Sequence, residues 1–152
     1  VAALAAPVVD FAAAFVILLV ILVASGHAPG PEVLLAPGVA VLAAAIALGI
    51  GLWLSALVVR YRDVSLVVPF LILVLLFVTP ILYPLSLIPD EYQTLYSLNP
   101  LVGVMETFRW TVLADAPAPG VELVLSAAIG LLLLVSGLFY FARAEQRFAD
   151  VI

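Results

Sequence analysis

Cysteine and lysine are both absent from this chain of 152 residues, and histidine and methionine each occur once. Without cysteine the chain forms no disulfide, no zinc–thiolate site and no thiol nucleophile. Phosphate binding needs clustered lysine and arginine, and the five basic side chains are outnumbered by ten acidic ones. A formal net charge of −5 therefore argues against a nucleic-acid partner.

Catalytic motifs are also lacking. The sequence contains no HExxH, no GxSxG and no GxxxxGK[ST] phosphate-binding loop, so this chain does not hydrolyse ATP by that route. Its acids and bases are spread over both ends of the apolar segments, whereas intramembrane catalysis needs polar groups that converge at one depth. We expect a conduit or a binding scaffold, with no catalytic residue, metal or cofactor on this chain.

Charged residues are scarce, at 10% of the chain, whereas hydrophobic residues make up 67% and the mean hydropathy is +1.38. A soluble domain is about half apolar and about a quarter charged. A fold of this size has too little interior to bury so much apolar surface, so the composition predicts an integral membrane protein.

Four apolar segments are long enough to cross a bilayer, namely residues 7–25, 39–59, 64–82 and 121–142. Pro7 suits the first turn of the first span, and Asp63 is a plausible N-cap for the third. Small residues at helical spacing in the second span predict close helix packing, with chance as the alternative: Ala47, Gly51 and Ser55.

Residues 83–116 are not predicted to form a normal membrane crossing. The segment 90–98 is too short, and 101–113 has the length of a re-entrant or interfacial helix. Asn99-Pro100 separates the two pieces, because the residue before a proline avoids helical geometry. We therefore predict an all-α membrane protein with four transmembrane helices and a short re-entrant or interfacial hairpin between the third and fourth.

Few polar residues interrupt the apolar segments. Glu106 and Arg109 are three residues apart on the second hairpin piece and are predicted to pair, since an unpaired arginine at membrane depth is costly. Asp10 is read as an interfacial residue in a first helical turn, with a carboxylate in a transport path as the alternative. His27 lies in the proline- and glycine-rich segment 26–38 and is read as a solvated loop residue.

Charge predicts the topology. Four crossings place the loop at residues 60–63 and the tail 143–152 on the same side, and the arginines there are Arg60, Arg62, Arg143 and Arg147. The opposite side carries Arg109 and the acidic residues Glu32, Asp90, Glu91, Glu106, Asp115 and Glu122. The positive-inside rule makes the arginine-rich side cytoplasmic, with the hairpin facing outward.

An ordered series of short motifs adds a family resemblance. RYRD at 60–63, VPF at 68–70, PILYPLSLIP at 80–89, LNP at 98–100, FR at 108–109 and the C-terminal FADVI resemble permease subunits of type-2 ABC transporters. The likeness is to the branch that exports polysaccharides, such as O-antigen and teichoic acid, on lipid carriers. It covers residues 59–152, and the earlier spans fit the same layout less distinctively.

The resemblance implies a six-span subunit of the bacterial cytoplasmic (inner) membrane that dimerises and binds two cytoplasmic ATPase subunits. ATP and Mg²⁺ would then belong to the partner ATPase. The four predicted spans would be the third to sixth, so the chain, which starts at Val1 without a methionine, would be the later part of a longer protein. The upstream part would carry the main ATPase contact, and the hairpin would match the short outward-facing gate helices.

Site residues follow from the same resemblance. Arg60, Arg62 and Asp63 would lie at the cytoplasmic mouth near the ATPase or anionic lipid, with plain topology anchoring as the alternative. Sugars stack on aromatic faces, so candidate pore or gate residues are Phe70, Phe77, Tyr83, Tyr92, Tyr96 and Trp110; lipid-facing or core packing is the alternative for each. Glu106 and Arg109 would hold the gate helices together.

The resulting prediction is the permease subunit of an exporter that moves a lipid-linked polysaccharide, powered by a separate ATPase. A type-2 permease for a drug or another lipid is the near alternative. A membrane scaffold without transport is a third hypothesis. A glycan-processing enzyme within the membrane is disfavoured by the missing catalytic cluster.

Overall fold

The computed structural model of the chain describes residues 2–27, 29–113 and 116–149, and these form six α-helices and two short 3₁₀ turns. The helices are α1 (Ala2–Ala24), α2 (Ala36–Arg60), α3 (Val64–Val78), α4 (Asp90–Tyr96), α5 (Pro100–Val112) and α6 (Val121–Ala149). The 3₁₀ turns are Pro31–Leu35 and Leu85–Leu87. Within the described residues the fold is all-helical, as predicted.

Some predicted features fall outside this description. Asp115 of the predicted hairpin and residues 150–152 of the predicted tail are not among the described residues. For Asp90 and Arg147 the description covers the backbone only.

Among the residues that the structure describes, three stretches are long and apolar enough to cross a membrane, namely Ala6–Ala24, Pro31–Arg60 and Val121–Arg143. The apolar helix α3 has 15 residues, which at about 1.5 Å per residue is shorter than the roughly 30 Å hydrocarbon core. It ends at Val78, four residues before the predicted end of the third span. The physical reason is Pro80, since Thr79 before it takes an extended conformation with ψ of 131°.

Other boundaries also differ from the sequence prediction. α1 begins at Ala2, so Pro7 lies inside the helix and not in its first turn. α6 runs to Ala149 and includes most of the predicted tail. Asp63 occupies the predicted N-cap position of α3, but its side chain makes no capping hydrogen bond. The Leu66 amide instead donates to the backbone carbonyl of Asp63 at 3.1 Å, so the predicted side-chain cap is wrong.

The most extensive helix contact is between α2 and α6, and it depends on glycine. A Cβ added at Gly49 would lie 2.7 Å from the backbone nitrogen of Leu134, and one added at Gly137 would lie 2.9 Å from the carbonyl oxygen of Gly49. Such backbone approach is how membrane helices gain packing contacts. The predicted row makes no close helix contact within the described residues, because an added Cβ at Gly51 would meet nothing within 4 Å and Ala47 and Ser55 are exposed.

A polar and aromatic contact joins the same two helices nearer the arginine-rich loop. The Trp53 indole N–H donates to Ser136 Oγ at 3.0 Å. Its ring stacks on Tyr140 with a centroid separation of 4.5 Å. A hydrogen bond of this kind contributes about 1 kcal/mol, so this contact fixes the relative rotation of α2 and α6 as well as their separation.

α5 packs across α6 and α2. Gly103 lies so close to α6 that an added Cβ would overlap the Glu122 carbonyl oxygen and the Ser126 hydroxyl, and its N–H donates to Ser126 Oγ at 3.1 Å. α1 meets α5 through Phe11 and Phe15, whose rings each lie 6.1 Å from the ring of Phe108. α5 is therefore fixed to the bundle and carries the site described next.

Candidate functional site

The Arg109 side chain holds the proline-rich turn that follows α3. Its Nη2 donates to the carbonyl oxygens of Pro80 at 2.7 Å, Ile81 at 3.1 Å and Tyr83 at 2.9 Å. We call residues 79–85 the clamped turn. The turn cannot satisfy all its own backbone acceptors, because two prolines, Pro80 and Pro84, remove N–H donors from it.

Glu106 completes this arrangement, one helical turn before Arg109. Its Oε1 accepts from Arg109 Nη1 at 2.6 Å and from the backbone N–H of Leu85 at 3.1 Å. The two side chains are 20% and 19% exposed, and charge-assisted bonds with little access to water are stronger than neutral ones. The pair is thus internally neutral, and it binds the turn at both of its ends.

Asn99 forms a second link between α5 and the clamped turn. Its Oδ1 accepts from the Leu101 N–H at 3.1 Å, which caps the first turn of α5. Its Nδ2 donates to Thr79 Oγ1 at 3.0 Å, and Thr79 is 1% exposed. The break between α4 and α5 at Asn99-Pro100 is confirmed. The contact with Thr79 was not predicted, because nothing in the sequence pairs residues 20 positions apart.

Tyr83 and Tyr96, two of the candidate gate aromatics, are neighbours joined by a side-chain hydrogen bond. The Tyr83 hydroxyl donates to the carbonyl oxygen of Phe77 at 2.8 Å. Burial raises the pKa of Tyr83 above its usual value, and the neighbouring Tyr96 raises it further through a hydrogen bond and its charge. Tyr83 therefore stays a neutral hydrogen-bonding group at physiological pH.

The other candidate aromatics are not gathered into one wall within this chain. Phe70, Phe77 and Tyr92 are 63%, 61% and 51% exposed. Trp110 is half-buried on α5. Exposure fits a pore, a lipid-facing surface or a surface covered by another subunit, so their role stays a prediction.

The charged residues at the end of α2 and in the loop before α3 are exposed. Arg60, Arg62 and Asp63 are all exposed, and the guanidinium of Arg60 lies 5.4 Å from the ring centre of its neighbour Tyr61. This cluster lies at the C-terminal end of α2, whereas the 3₁₀ turn Pro31–Leu35 lies at the N-terminal end of that helix. Its place at a cytoplasmic mouth stays a prediction.

A cavity of about 700 Å³ lies next to the clamped turn. We call it the clamp cavity. Its polar lining residues come from separate parts of the chain: His27, Ser86, Gln93, Glu106, Arg109 and Glu122. The loop 116–120 closes one side of it. Sequence reading found Glu106 and Arg109 but gave no function to Gln93, Glu122 or Ser86, since only the fold brings them together.

Residues 2–113 match the ABC-2 type transporter family. This range is most of the chain, and it includes α1 to α5 with the clamped turn. The chain therefore belongs to the ABC-2 type transporter family.

Individual relatives are permease and transport proteins of polysaccharide systems. The chain is 31% identical to the O-antigen export system permease protein of Myxococcus xanthus, over 94% of this chain and 56% of that protein. It is 33% identical to a polysialic acid transport protein of Escherichia coli, over 64% of this chain and 38% of the relative. It is 26% identical to an O-antigen export system permease protein of Klebsiella pneumoniae, over 68% and 40%.

The chain spans about half the length, or less, of these curated relatives. No solved structure matches it.

Proposed function

We propose that this chain is part of the permease subunit of an ABC exporter that moves a lipid-linked polysaccharide of O-antigen or teichoic-acid type across the bacterial cytoplasmic membrane. The observation that carries the proposal is the 31% identity, over 94% of the chain, to a permease named for O-antigen export. Relatives named for polysialic acid transport support polysaccharide as the shared substrate class.

The proposed exporter has a separate ATPase subunit, which binds ATP and Mg²⁺, and a second copy of the permease. ATP binding at the ATPases would move the two permease halves relative to each other, and the glycan would pass between them. The close contact of α2 with α6 at Gly49 and Gly137 suits a rigid body that transmits such a movement. The ion pair of Glu106 with Arg109 would keep the clamped turn and α5 together as they move.

The proposed orientation places Arg60, Arg62 and Asp63 in the cytoplasm and the clamped turn at the outer surface. Its support is the positive-inside rule, since arginines gather at the first end and acidic residues at the second. In this orientation the exposed cluster lies where an ATPase or anionic lipid headgroups would meet it. Phe70, Phe77, Tyr83, Tyr92, Tyr96 and Trp110 are the aromatics proposed to contact sugar or membrane lipid along the path.

The test is deletion of the complete gene that encodes this chain, followed by immunoblotting of surface polysaccharide. We expect loss of surface polysaccharide, accumulation of lipid-linked glycan inside the cell, and recovery on complementation. We also expect the tagged full-length protein to co-purify with an ABC ATPase. Normal surface polysaccharide in a strain without a second exporter would contradict the proposal, and accumulation of a different lipid or a drug would assign another substrate.

A further inference from the structure

The clamp cavity has the size and construction of a binding site. Its volume of about 700 Å³ falls within the roughly 300–1,000 Å³ typical of small-ligand sites. Six separate segments form it, including the α1–α2 connection at His27, the start of α6 at Glu122 and the loop 116–120. Because the walls come from distant parts of the chain, their geometry is set by the fold and not by one flexible loop.

The polar atoms of the cavity suit a ligand rich in hydroxyl groups. Glu106 and Glu122 carry carboxylates, which accept hydrogen bonds, and the Gln93 amide both donates and accepts. His27 Nδ1 lies 3.1 Å from the carbonyl oxygen of Ser25. A carbonyl only accepts, so Nδ1 is the donor in this contact. Sugar hydroxyls both donate and accept hydrogen bonds, so they complement a lining of this composition.

The charge of the cavity selects among sugars. Among the residues that the structure describes, the carboxylates and the guanidinium that line the cavity are those of Glu106, Arg109 and Glu122, and their formal charges sum to −1. The Arg109 guanidinium is bound by Glu106 and by the three carbonyl oxygens of the clamped turn, so its positive charge is compensated. An acidic sugar would meet the Glu122 carboxylate, and the described lining offers it no cation that is not already compensated.

We infer that the clamp cavity is a subsite for one or two sugar units of the exported glycan, and that it accepts neutral and amino sugars and disfavours acidic ones. This inference rests on the proposed function. It assigns this subsite a sugar unit different in charge from the units of the acidic polymer for which the Escherichia coli relatives are named.

The experiment is a saturation-transfer NMR titration of the full-length permease in lipid nanodiscs with three probes. The probes are methyl β-lactoside as the neutral sugar, methyl β-glucosaminide as the amino sugar and 3′-sialyllactose as the acidic sugar. We expect saturable binding of the first two and at least fivefold weaker binding of the third. Equal binding of all three, or tightest binding of the acidic probe, would overturn the charge selection.

The variant Glu122→Gln tests the assigned carboxylate, since it keeps the shape and removes the charge. A unit charge about 4 Å away in a water-like medium changes an equilibrium constant by about fivefold. We therefore expect the amino sugar to bind about fivefold more weakly and the acidic sugar about fivefold more tightly. Glu91→Gln is the matched control, because Glu91 is an exposed residue on α4 outside the cavity lining. An equal effect of both variants would place the selection elsewhere.

The variant Ala118→Trp tests the cavity itself, since an indole at this exposed lining position would fill it. We expect loss of binding for every probe, whereas Thr94→Trp, on an exposed position outside the lining, should bind as wild type. Unchanged binding in Ala118→Trp would overturn the site. Absence of sugar binding in a protein whose deletion abolishes surface polysaccharide overturns this inference alone; intact surface polysaccharide after deletion overturns the proposed function, whatever the titration gives.

Discussion

Arg109 and Glu106 form an ion pair with a separation of 2.6 Å between Nη1 and Oε1, and between them they bind four backbone groups of the clamped turn. Arg109 binds the carbonyls of Pro80, Ile81 and Tyr83, and Glu106 binds the amide of Leu85. The pair therefore determines how the end of α3 joins α5.

The first prediction concerns the clamp. Arg109→Ala leaves three carbonyl oxygens and a half-buried carboxylate without their partner, so we expect a loss of about 2 kcal/mol of stability, less than for a fully buried pair. Glu106→Gln should cost less, because its amide oxygen still accepts from Leu85. The measurement is thermal unfolding of the full-length protein in detergent.

Arg143→Ala is the control for the clamp, since Arg143 is an exposed arginine on α6. It should unfold as the wild-type protein does. Equal stability of Arg109→Ala and Arg143→Ala would show that the clamp does not hold the turn.

The second prediction concerns the link between Asn99 and Thr79. Thr79→Val keeps the side-chain shape and removes one hydrogen bond, at a cost of about 1 kcal/mol. Asn99→Ala removes that bond and the cap of α5, so it should cost about 2 kcal/mol. Thermal unfolding of both single variants and the double variant gives the coupling energy. Strictly additive effects would mean that the two side chains do not interact.

The third prediction compares two glycines of α2 that are two residues apart. Gly49→Ala should destabilise the protein, because its Cβ would lie 2.7 Å from the Leu134 nitrogen and 2.8 Å from the Leu133 carbonyl carbon, which are backbone atoms that must shift. Gly51→Ala meets nothing within 4 Å and should be neutral, or stabilising by up to about 1 kcal/mol through helix propensity. Expression level and unfolding temperature measure both. The reverse order would contradict the contact of α2 with α6.

The fourth prediction concerns orientation. In a cysteine-free version of the full-length protein, a single cysteine at Arg62 should react with a membrane-impermeant maleimide only after the membrane is opened. A cysteine at Ser86, in the exposed part of the second 3₁₀ turn, should react in intact spheroplasts. Labelling of position 62 from outside would reverse the proposed topology.

Sequence reasoning worked best where one local rule applied. Long apolar runs located α1, α2 and α6, and the proline rule located the break at Asn99. The prediction of a helix end was wrong where hydropathy and a proline gave opposite indications. The apolar run of α3 continues past Pro80, so hydropathy alone extended the helix beyond the point where the proline ends it.

Part of the candidate site could also be predicted from a local rule, namely helical spacing. Glu106 and Arg109 are three residues apart, so helical spacing alone predicts their contact. The binding of Arg109 to the Pro80 carbonyl spans 29 positions, and only the packed fold determines it. Small-residue spacing alone does not distinguish Gly49 from Gly51, and only the position of α6 shows that Gly49 makes the close contact.

The most direct test of the central claim is transport by the complete exporter. Inside-out vesicles would contain the full-length protein and the proposed ATPase. Radiolabelled lipid-linked glycan would be added to the outside of these vesicles, followed by a glycosidase. We predict that ATP makes the glycan resistant to the glycosidase, and that a variant ATPase unable to hydrolyse ATP does not. Glycan that stays fully sensitive with ATP present would contradict the assignment of this chain to a polysaccharide exporter.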